Sequence, residues 1–334
     1  MSISAKELSH LLNLSEAAVS MALNNKPGVS TNTRKKVIEA ARNHGYDFTR
    51  ISGSHPATGN IHVIVYRKHG AVVTETPFFS ALLDGINEEY NSTRFHLNIN
   101  YIYLSENIER QLQEILYSGC IGIILLATEM KEEDFKPFSN LPVPVVILDN
   151  YFPSVKRDCI QINNRQGAFT ATNYLITQRK RQPGYLHSSY LIYNFEERKE
   201  GFMKAVKSSG MSSSNSIIHL LSPSMEGAYA DMLGLVNQGE NIADCYFADN
   251  DLIAAGAMRA FRERGYRLPE DIAIIGFDNM PMCAYLEPNL TTIDVPKQYM
   301  GKMAAHRLNT ILEAKEFVPV KYEISTELVK RKSV

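Results

Sequence analysis

Residues 4–24 have the sequence SAKELSHLLNLSEAAVSMALN, and this stretch decides how the chain begins to fold. Its first serine is followed three residues later by Glu7, the spacing of a helix capping box, and the leucines after it recur at helical spacing. Ser15 is placed to cap a second short helix directly after a tight turn. Ser30 is placed to cap a third helix, which we expect to end at Gly45. Three short helices in this order predict a helix-turn-helix head.

The second helix of a helix-turn-helix enters the major groove of DNA and presents its N-terminal residues to base edges. The residues expected to face the bases here are Glu16, Ala17, Ser20 and Met21. A glutamate accepts a hydrogen bond from cytosine, whereas alanine and methionine contact thymine methyl groups. The residues expected to hold phosphates are Ser15, Asn24, Thr33 and Arg34. The alternative interpretation is a three-helix bundle that has no role in DNA binding.

The composition is that of a folded protein with two or three domains. Of the 334 residues, 44% are hydrophobic and 21% are charged, and we find neither a membrane-spanning run nor a secretory signal. Residues 1–50 carry seven Lys and Arg against four acidic residues, whereas the whole chain has a net charge of −1. A basic head on a mildly acidic body fits a head that meets phosphates, although ordinary charge scatter gives the same balance. We expect a cytoplasmic protein.

After residue 59 the pattern changes to apolar runs that alternate with amphipathic segments. The apolar runs predict strands at residues 61–66, 97–103, 121–126, 143–148, 159–162, 183–187, 217–220, 245–248, 272–277, 291–294 and 322–326. The amphipathic segments predict helices at residues 77–90, 107–117, 165–177, 196–208, 227–237, 252–264 and 297–312. Because strands and helices alternate, we expect parallel, Rossmann-like sheets covered by helices, and this many units predict two α/β lobes.

Polar residues follow four of the predicted strands, where ligands bind in such folds. These residues are Asp149 and Asn150, residues 163–165 (NNR), residues 249–251 (DND), and Asp278 and Asn279. Carboxylates and amides supply the paired donors and acceptors that sugar hydroxyl groups require. The alternative for each residue is that it caps the helix that follows.

The sequence shows no arrangement of residues that indicates catalysis. A nucleophile paired with a base, a phosphate-binding glycine loop and a metal-ligand spacing of the nine histidines are all missing. The four cysteines, Cys120, Cys159, Cys245 and Cys283, are far apart, so we expect buried free thiols. We therefore expect neither an enzyme nor a cofactor or metal.

The head resembles that of the lactose/galactose repressor (LacI/GalR) family. The resemblance lies in residues 14–24 (LSEAAVSMALN), 26–30 (KPGVS), 33–34 (TR) and 45–46 (GY). Runs in the body also resemble the family's effector domain, which is similar to periplasmic sugar-binding proteins. These runs are residues 77–79 (PFF), Asp149, and residues 197–202 (ERKEGF), 248–251 (ADND), 256–260 (GAMRA), 275–279 (IGFDN), 290–293 (LTTI) and 326–328 (TEL).

The resemblance implies a domain organisation and a set of effector-binding residues. It implies a DNA-binding head at residues 1–46, a hinge linker at 47–59 and an effector-binding and dimerisation domain at 60–334. We expect lobe one at about residues 60–160 and 294–320, and lobe two at about 161–293 and 321–334. The positions that match the family's effector contacts are Asp149, Arg198, Asn250 and Asp278, and Phe78 and Phe79 match an apolar wall.

Several positions depart from the family pattern. Met21 stands where the family usually has arginine and Ala18 where it has threonine, so we expect an operator that is read with more weight on apolar contacts. His55 stands where a hinge leucine wedges into the minor groove, and Gly53 and Pro56 disfavour a helix. We therefore expect a weak or absent hinge helix around the hinge residues Arg50, Ile51 and His55, and little kinking of the operator.

The expected function is that of a homodimeric repressor of carbohydrate-use genes. The resemblance implies binding to a pseudo-palindromic operator, with the affinity controlled by a sugar-like small molecule. Residues 67–70 (RKHG), with Arg198 and Lys297, favour an anionic sugar, unless these cations are ordinary solvated residues. The sequence also leaves open a sugar-binding transport receptor without a DNA role, an α/β enzyme that acts on a sugar, and a corepressor-dependent regulator or activator.

Overall fold

The structure is a computed structural model of the chain. It describes residues 3–24, 28–46, 59–73, 76–91, 93, 95–314 and 316–334. The predicted hinge residues Arg50, Ile51 and His55 lie outside the described residues.

The head consists of three helices, α1 (Ala5–Leu12), α2 (Glu16–Leu23) and α3 (Thr31–Asn43). A serine hydroxyl accepts a backbone N–H at the start of each helix, which confirms the predicted caps. The Glu7 carboxylate also accepts the Ser4 N–H at 2.7 Å and completes the capping box. The inward faces form a small apolar cluster of Leu8, Val19, Ala22, Leu23, Val37 and Ala41.

The remaining elements alternate between strands and helices, as predicted. The strands are β1 (Gly59–Arg67), β2 (Phe95–Tyr103), β3 (Cys120–Leu126), β4 (Val145–Leu148), β5 (Asp158–Ile162), β6 (Gly184–Ser188), β7 (Ile218–Leu221), β8 (Cys245–Ala248), β9 (Ala273–Asp278), β10 (Thr291–Asp294), β11 (Lys321–Ile324) and β12 (Glu327–Val329). The helices are α4 (Pro77–Tyr90), α5 (Ile108–Tyr117), α6 (Asn164–Arg179), α7 (Tyr193–Ser208), α8 (Met225–Asn237), α9 (Asp251–Glu263) and α10 (Lys297–Glu313).

The strands form two six-stranded sheets. The first has the order β11-β5-β4-β3-β1-β2 and the second the order β12-β10-β9-β8-β6-β7. In the first sheet β1 runs parallel to β2 and β3, with Gly59 opposite Phe95. In the second sheet β6 runs parallel to β7 and β8, and β9 to β8 and β10. The short strand β12, which the sequence analysis missed, runs antiparallel to β10.

The chain divides into two compact units. The first unit consists of Met1–Lys68, Gly85–Cys159 and Gly301–Val320, and the second of His69–Asp84, Ile160–Met300 and Lys321–Val334. The head therefore belongs to the first unit. None of the described helices is long and apolar enough to cross a membrane.

Buried apolar side chains cover both sheets. In the first unit, residues of β1, β3 and β4 such as Ile64, Ile123 and Ile147 pack against α5 residues such as Leu112. In the second unit, the Tyr185 ring packs against those of Phe202 and Phe247, at centroid distances of 4.9 and 5.4 Å. All four cysteines are buried.

Candidate functional site

The predicted base-reading residues lie along one exposed side of α2. The side chains of Glu16, Ala17 and Ser20 are exposed, whereas Met21 is half-buried. Gly28 has φ +111°, and a Cβ built there would lie 3.1 Å from the Met21 Sδ. A side chain at position 28 would therefore crowd Met21, and the glycine leaves room for it.

The predicted phosphate-contacting residues surround that side. Ser15 caps α2, and the Asn24 amide donates to the Ser20 carbonyl at 2.8 Å. Thr33 lies in the first turn of α3, with its hydroxyl 2.8 Å from that of Ser30. Arg34 is half-buried beside it. Ser15, Thr33 and Arg34 thus lie at the N-terminal ends of α2 and α3, where backbone N–H groups favour anions, whereas Asn24 lies at the C-terminal end of α2.

In the second unit, the candidate effector site centres on Arg198. This side chain is 2% exposed and its guanidinium lies 3.7 Å from the centroid of the Phe277 ring. Its Nε donates to Asn164 Oδ1 at 2.9 Å, one Nη donates to the Asp249 carbonyl, and the other donates to Asp278 Oδ1 at 3.2 Å. These bonds fix the plane of the guanidinium, which is the condition for directional recognition of a ligand.

Asp278 ends β9 in an uncommon backbone conformation. Its φ is +105° and that of Asn279 is +48°, both in the region that side chains with a Cβ rarely adopt. Burial raises the pKa of Asp278, and the charges of Arg198 and Lys297 partly offset this effect. Strained backbone at the end of a strand is typical of functional sites.

Lys297 begins α10 and joins two of the predicted residues. Its Nζ donates to the carbonyl oxygens of Asp278 and of Val295, the latter at 3.0 Å, and lies 5.9 Å from the centroid of the Phe78 ring. Phe78 and Phe79 are both buried on α4, with their ring centroids 5.2 Å apart. The structure therefore brings Phe78, Arg198 and Asp278 into one cluster through Lys297.

Beside Arg198 lies a buried network of which the sequence analysis named only Asp249, within the run 249–251. The Asp249 carboxylate accepts hydrogen bonds from Tyr185 Oη, from the Ser188 N–H at 2.7 Å and from His187 Nδ1 at 2.7 Å. Burial alone lowers the pKa of His187, but the hydrogen bond to Asp249 and the charges of Asp249 and Glu196 outweigh it, so the pKa is raised. Asp249 stands in the DND run after β8, and that run was the available signal for it.

Helix capping accounts for two of the other strand-end residues. The Asn250 Oδ1 accepts the Ile253 N–H at 2.8 Å, and the Asn163 Oδ1 accepts the Gln166 N–H at 3.1 Å. The side chain of Asp251 lies inside the unit and accepts hydrogen bonds from the Met280 N–H and the Thr292 hydroxyl. The capping alternative therefore describes the Asn163 and Asn250 side-chain oxygens.

Asp149 belongs to the first unit. It follows β4 with φ +60°, is 2% exposed, and accepts the Thr128 hydroxyl at 2.6 Å. The neighbouring Asn150 amide donates to the carbonyl oxygens of Ala127 and Met130. Asn150 therefore stabilises the loop that positions Asp149.

Two cations of the 67–70 run have partners within the first unit. Lys68 Nζ pairs with Asp134 at 3.0 Å, and the Lys68 N–H donates to the Glu129 carboxylate. The Arg67 guanidinium lies 4.3 Å from the Tyr101 ring centroid. Across the described part of the chain, no cluster of His, Cys, Asp and Glu side chains is arranged to hold a metal ion.

Comparisons with known proteins match both parts of the chain. Residues 6–47 match the model described as bacterial regulatory proteins, lacI family, and residues 172–334 match a periplasmic binding protein-like domain. The chain is 28% identical over 337 residues to the transcriptional regulator GalR of Escherichia coli, covering 98% of this chain and 95% of GalR. It is 29% identical over 305 residues to GalS of Salmonella typhimurium, covering 90% and 88%.

A solved structure gives a further match. The LacI family transcriptional regulator from Enterococcus faecium with bound ribose is 26% identical, with a TM-score of 0.71, and the match covers 82% of this chain and 98% of that one. A helix-turn-helix head joined to a periplasmic-binding-like domain defines a DNA-binding transcription regulator with a small-molecule effector. The chain combines a lacI-family helix-turn-helix domain with a periplasmic-binding-like domain and is similar to GalR and GalS, which confirms the resemblance and the fold class seen in the sequence.

Proposed function

We propose that the protein is a cytoplasmic, homodimeric repressor of carbohydrate-use genes whose operator affinity is controlled by a sugar. The observation that carries the proposal is the buried Arg198–Asp278 pair at the carboxyl end of β9. GalR and GalS, named as transcriptional regulators, and the ribose-bound family member support it. We also propose the domain boundaries given in the sequence analysis, with the head at residues 1–46 and the hinge at 47–59.

The proposed ligand is a neutral, hydroxyl-rich molecule. A sugar hydroxyl donates to the Asp278 carboxylate and accepts from the Arg198 guanidinium, so one pair orients adjacent hydroxyl groups. The Asp278 carboxylate pairs with Arg198 and lies close to the charges of Lys297 and Asp249, so two acidic side chains balance the two cations. The partners of Arg67 and Lys68 within the first unit support a structural role for these cations rather than a second anion-binding group. Asp149, Asn250, Phe78 and Phe79 stay in the proposed ligand contacts.

The dimer is proposed to form through β2, which lies at the edge of the first sheet. Ile99, Tyr101 and Tyr103 alternate along this strand and are 45%, 46% and 38% exposed. An exposed apolar strand at a sheet edge marks an interaction surface, because a solitary edge of this kind invites pairing. A dimer places two heads on one pseudo-palindromic operator. Neither a catalytic reaction nor a cofactor is part of the proposal.

A ligand screen tests the proposed effector class. The full chain is scanned by thermal shift against neutral sugars, uronates and phosphosugars. Each hit is then tested for release of DNA selected by the protein from a random-sequence pool. We expect neutral sugars to raise the midpoint and to change DNA affinity, and the direction of that change distinguishes inducer from corepressor. A screen in which only uronates or phosphosugars shift the midpoint contradicts the neutral-sugar proposal.

A matched pair of variants ties the effect to the site. Arg198→Lys keeps the charge but loses the planar set of donors, so we expect ligand affinity to fall about 100-fold. Arg259→Lys is the control, because Arg259 pairs with Glu226 on the exposed surface of the second unit. Equal ligand affinity in the two variants would remove Arg198 from the proposed site.

A further inference from the structure

We propose that the effector domain holds the head directly, through a docking interface between α3 and the C-terminal end of α5. The two helices are in contact within the first unit. The Tyr117 hydroxyl donates to Glu39 Oε1 at 3.2 Å, and Lys35 Nζ lies 5.5 Å from the centroid of the Tyr117 ring. A hydrogen bond and a cation–π contact thus converge on one aromatic ring.

Ile38 is a buried residue of α3 that the head's own apolar cluster does not account for. Ile38 is 8% exposed, yet it lies outside the apolar cluster that the head forms for itself. Lys35, Ile38, Glu39 and Arg42 follow the spacing of residues that share one helix face. That face lies beside, and not within, the face that carries Val37 and Ala41 into the head cluster.

On α5, Tyr117 is likewise buried and lies outside the apolar cluster of its own helix. It is 8% exposed, and it is not part of the cluster in which its α5 neighbours Leu112, Ile115 and Leu116 pack. Burial, the Glu39 charge and the hydrogen bond to Glu39 raise the pKa of Tyr117, while Arg42 opposes the shift. A buried residue outside each cluster therefore marks each side of the contact.

The docking site lies where the linker enters the effector domain. Ser118, directly after α5, accepts a hydrogen bond from the Asn60 amide at 2.5 Å through its carbonyl, and its hydroxyl lies 3.0 Å from His62 Nε2. Asn60 and His62 belong to β1, whose first residue is Gly59. Any movement of the α5 end relative to β1 therefore reaches the head through the interface as well as through the linker.

The docked head keeps its DNA-reading side open. Glu16, Ala17 and Ser20 on α2 are exposed while α3 lies against α5. The interface therefore orients the head without blocking it. If the linker forms a weak hinge helix, as its Gly53 and Pro56 predict, this contact supplies the orientation that a hinge helix gives elsewhere. The transmission of movement from α5 to the head rests on the proposed function, whereas the existence of the interface does not.

Chemical cross-linking of the full chain tests the interface without DNA or ligand. The double variant Arg42→Cys with Glu114→Cys, which leaves the contacts of Tyr117 with Lys35 and Glu39 in place, is treated with a short bismaleimide. Ala17→Cys with Glu114→Cys is the matched control. Arg42 and Glu114 are exposed, and each lies about one helical turn from Glu39 or Tyr117. Ala17 is exposed on α2, and the native cysteines are buried. We expect the first pair to form an intramolecular link about tenfold faster, because docking raises the effective concentration of the two thiols.

Hydrogen exchange on a less disruptive variant gives a second measurement. Tyr117→Phe keeps the ring and removes the hydrogen bond to Glu39, whereas Tyr117→Ala removes both contacts. We expect α3 amides to exchange about tenfold faster in Tyr117→Ala and by a smaller factor in Tyr117→Phe, with α7 unchanged in both. Equal linking rates for the two cysteine pairs, a link formed only between two chains, or unchanged exchange in α3 would each overturn the interface. A regulator that binds DNA without docking fails these tests and still passes those of the proposed function.

Discussion

The head and the second unit use polar side chains in opposite ways. In the head, Ser4, Ser15 and Ser30 bond to backbone groups three residues away, and their surroundings are exposed. In the second unit, Arg198 bonds to Asp278 at a separation of 80 residues, and both are largely buried. Each local hydrogen bond in water contributes little to stability, and its removal leaves the others unchanged. In a buried network, removal of one member leaves its partners without hydrogen bonds, so the loss of stability is larger.

The largest expected effect comes from removing the centre of the buried network. Asp249→Ala leaves Tyr185 Oη, His187 Nδ1 and the Ser188 N–H without their common acceptor. We expect the second unit to lose about 3–5 kcal/mol of unfolding free energy, because buried partners of a removed charge stay unsatisfied. Urea unfolding of the full chain, followed by circular dichroism, measures this loss.

An exposed ion pair of the same unit provides the control for that substitution. Glu226→Ala breaks the pair with Arg259. The Glu226 side chain is 70% exposed and the Arg259 side chain is 53% exposed. We expect a loss of less than about 1 kcal/mol, as for surface pairs in general. Similar losses for Asp249→Ala and Glu226→Ala would mean that the buried network does not behave as a unit.

The next effect is a pH dependence that belongs to the second unit. Burial, with a contribution from the Asp278 charge, raises the pKa of Asp251 to about 7 in the folded protein, against about 3.9 in an unfolded chain. The folded state thus binds this proton more tightly, so its stabilisation is complete at low pH and is lost as the pH rises through 7. We expect the wild type to lose roughly 2–3 kcal/mol relative to Asp251→Asn between pH 5 and pH 8.

Asp251→Asn keeps the geometry, because an amide oxygen accepts the Met280 N–H and the amide N–H₂ donates to Thr292. Asp271→Asn is the control: hydrogen bonds from Arg267 lower the pKa of Asp271 to about 2, outside the range tested. Urea midpoints at several pH values compare the three proteins. Parallel profiles for the wild type and Asp251→Asn would show that Asp251 does not titrate in this range.

The same contrast explains how much of the molecule the sequence predicts. The caps of the head depend on residues three apart, so Ser4 with Glu7 predicts its helix from the sequence alone. The strands of both sheets follow from apolar runs, with boundaries that shift by a residue or two. The strand at Glu327–Val329 was missed because three residues carry no periodic signal and its pairing partner, β10, is remote in the sequence.

The sequence predicts individual residues of the candidate site but not the contacts between them. Arg198 and Asp278 were each chosen by resemblance, but nothing in the sequence indicates that Lys297 donates to the Asp278 carbonyl. His187 lies inside an apolar strand and was passed over, because its role depends on Asp249, 62 residues later. Contacts over such distances are set by sheet order, and a single sequence does not give that order.

A smaller effect is expected from a cap in the head. Ser15→Ala removes the acceptor of the Ala18 N–H at the start of α2 and costs about 1 kcal/mol, so α2 amides exchange about fivefold faster. Ser20→Ala is the control, since it lies within the same helix and alanine favours helices. Hydrogen exchange of the full chain measures both variants. If amides of the second unit also exchange faster in Ser15→Ala, the head does not unfold independently of that unit.

The smallest effect concerns one phosphate contact. If Arg34 neutralises one phosphate, Arg34→Ala lowers the salt slope of DNA binding by about 0.9 and weakens binding about fivefold at 0.15 M salt. Because phosphates carry no sequence information, the loss is equal on specific and random DNA. Arg110→Ala is the control, since Arg110 pairs with Glu114 on the exposed side of α5, outside the head.

Fluorescence anisotropy at four salt concentrations gives both slopes. An unchanged slope in Arg34→Ala removes Arg34 from the phosphate contacts, and a loss confined to specific DNA assigns it to base reading instead. Because α2 offers few side-chain hydrogen bonds to bases, phosphate contacts and the spacing of two heads carry most of the expected affinity. A single local contact in the head therefore changes affinity by a small factor, whereas one buried charge in the second unit decides whether that unit folds.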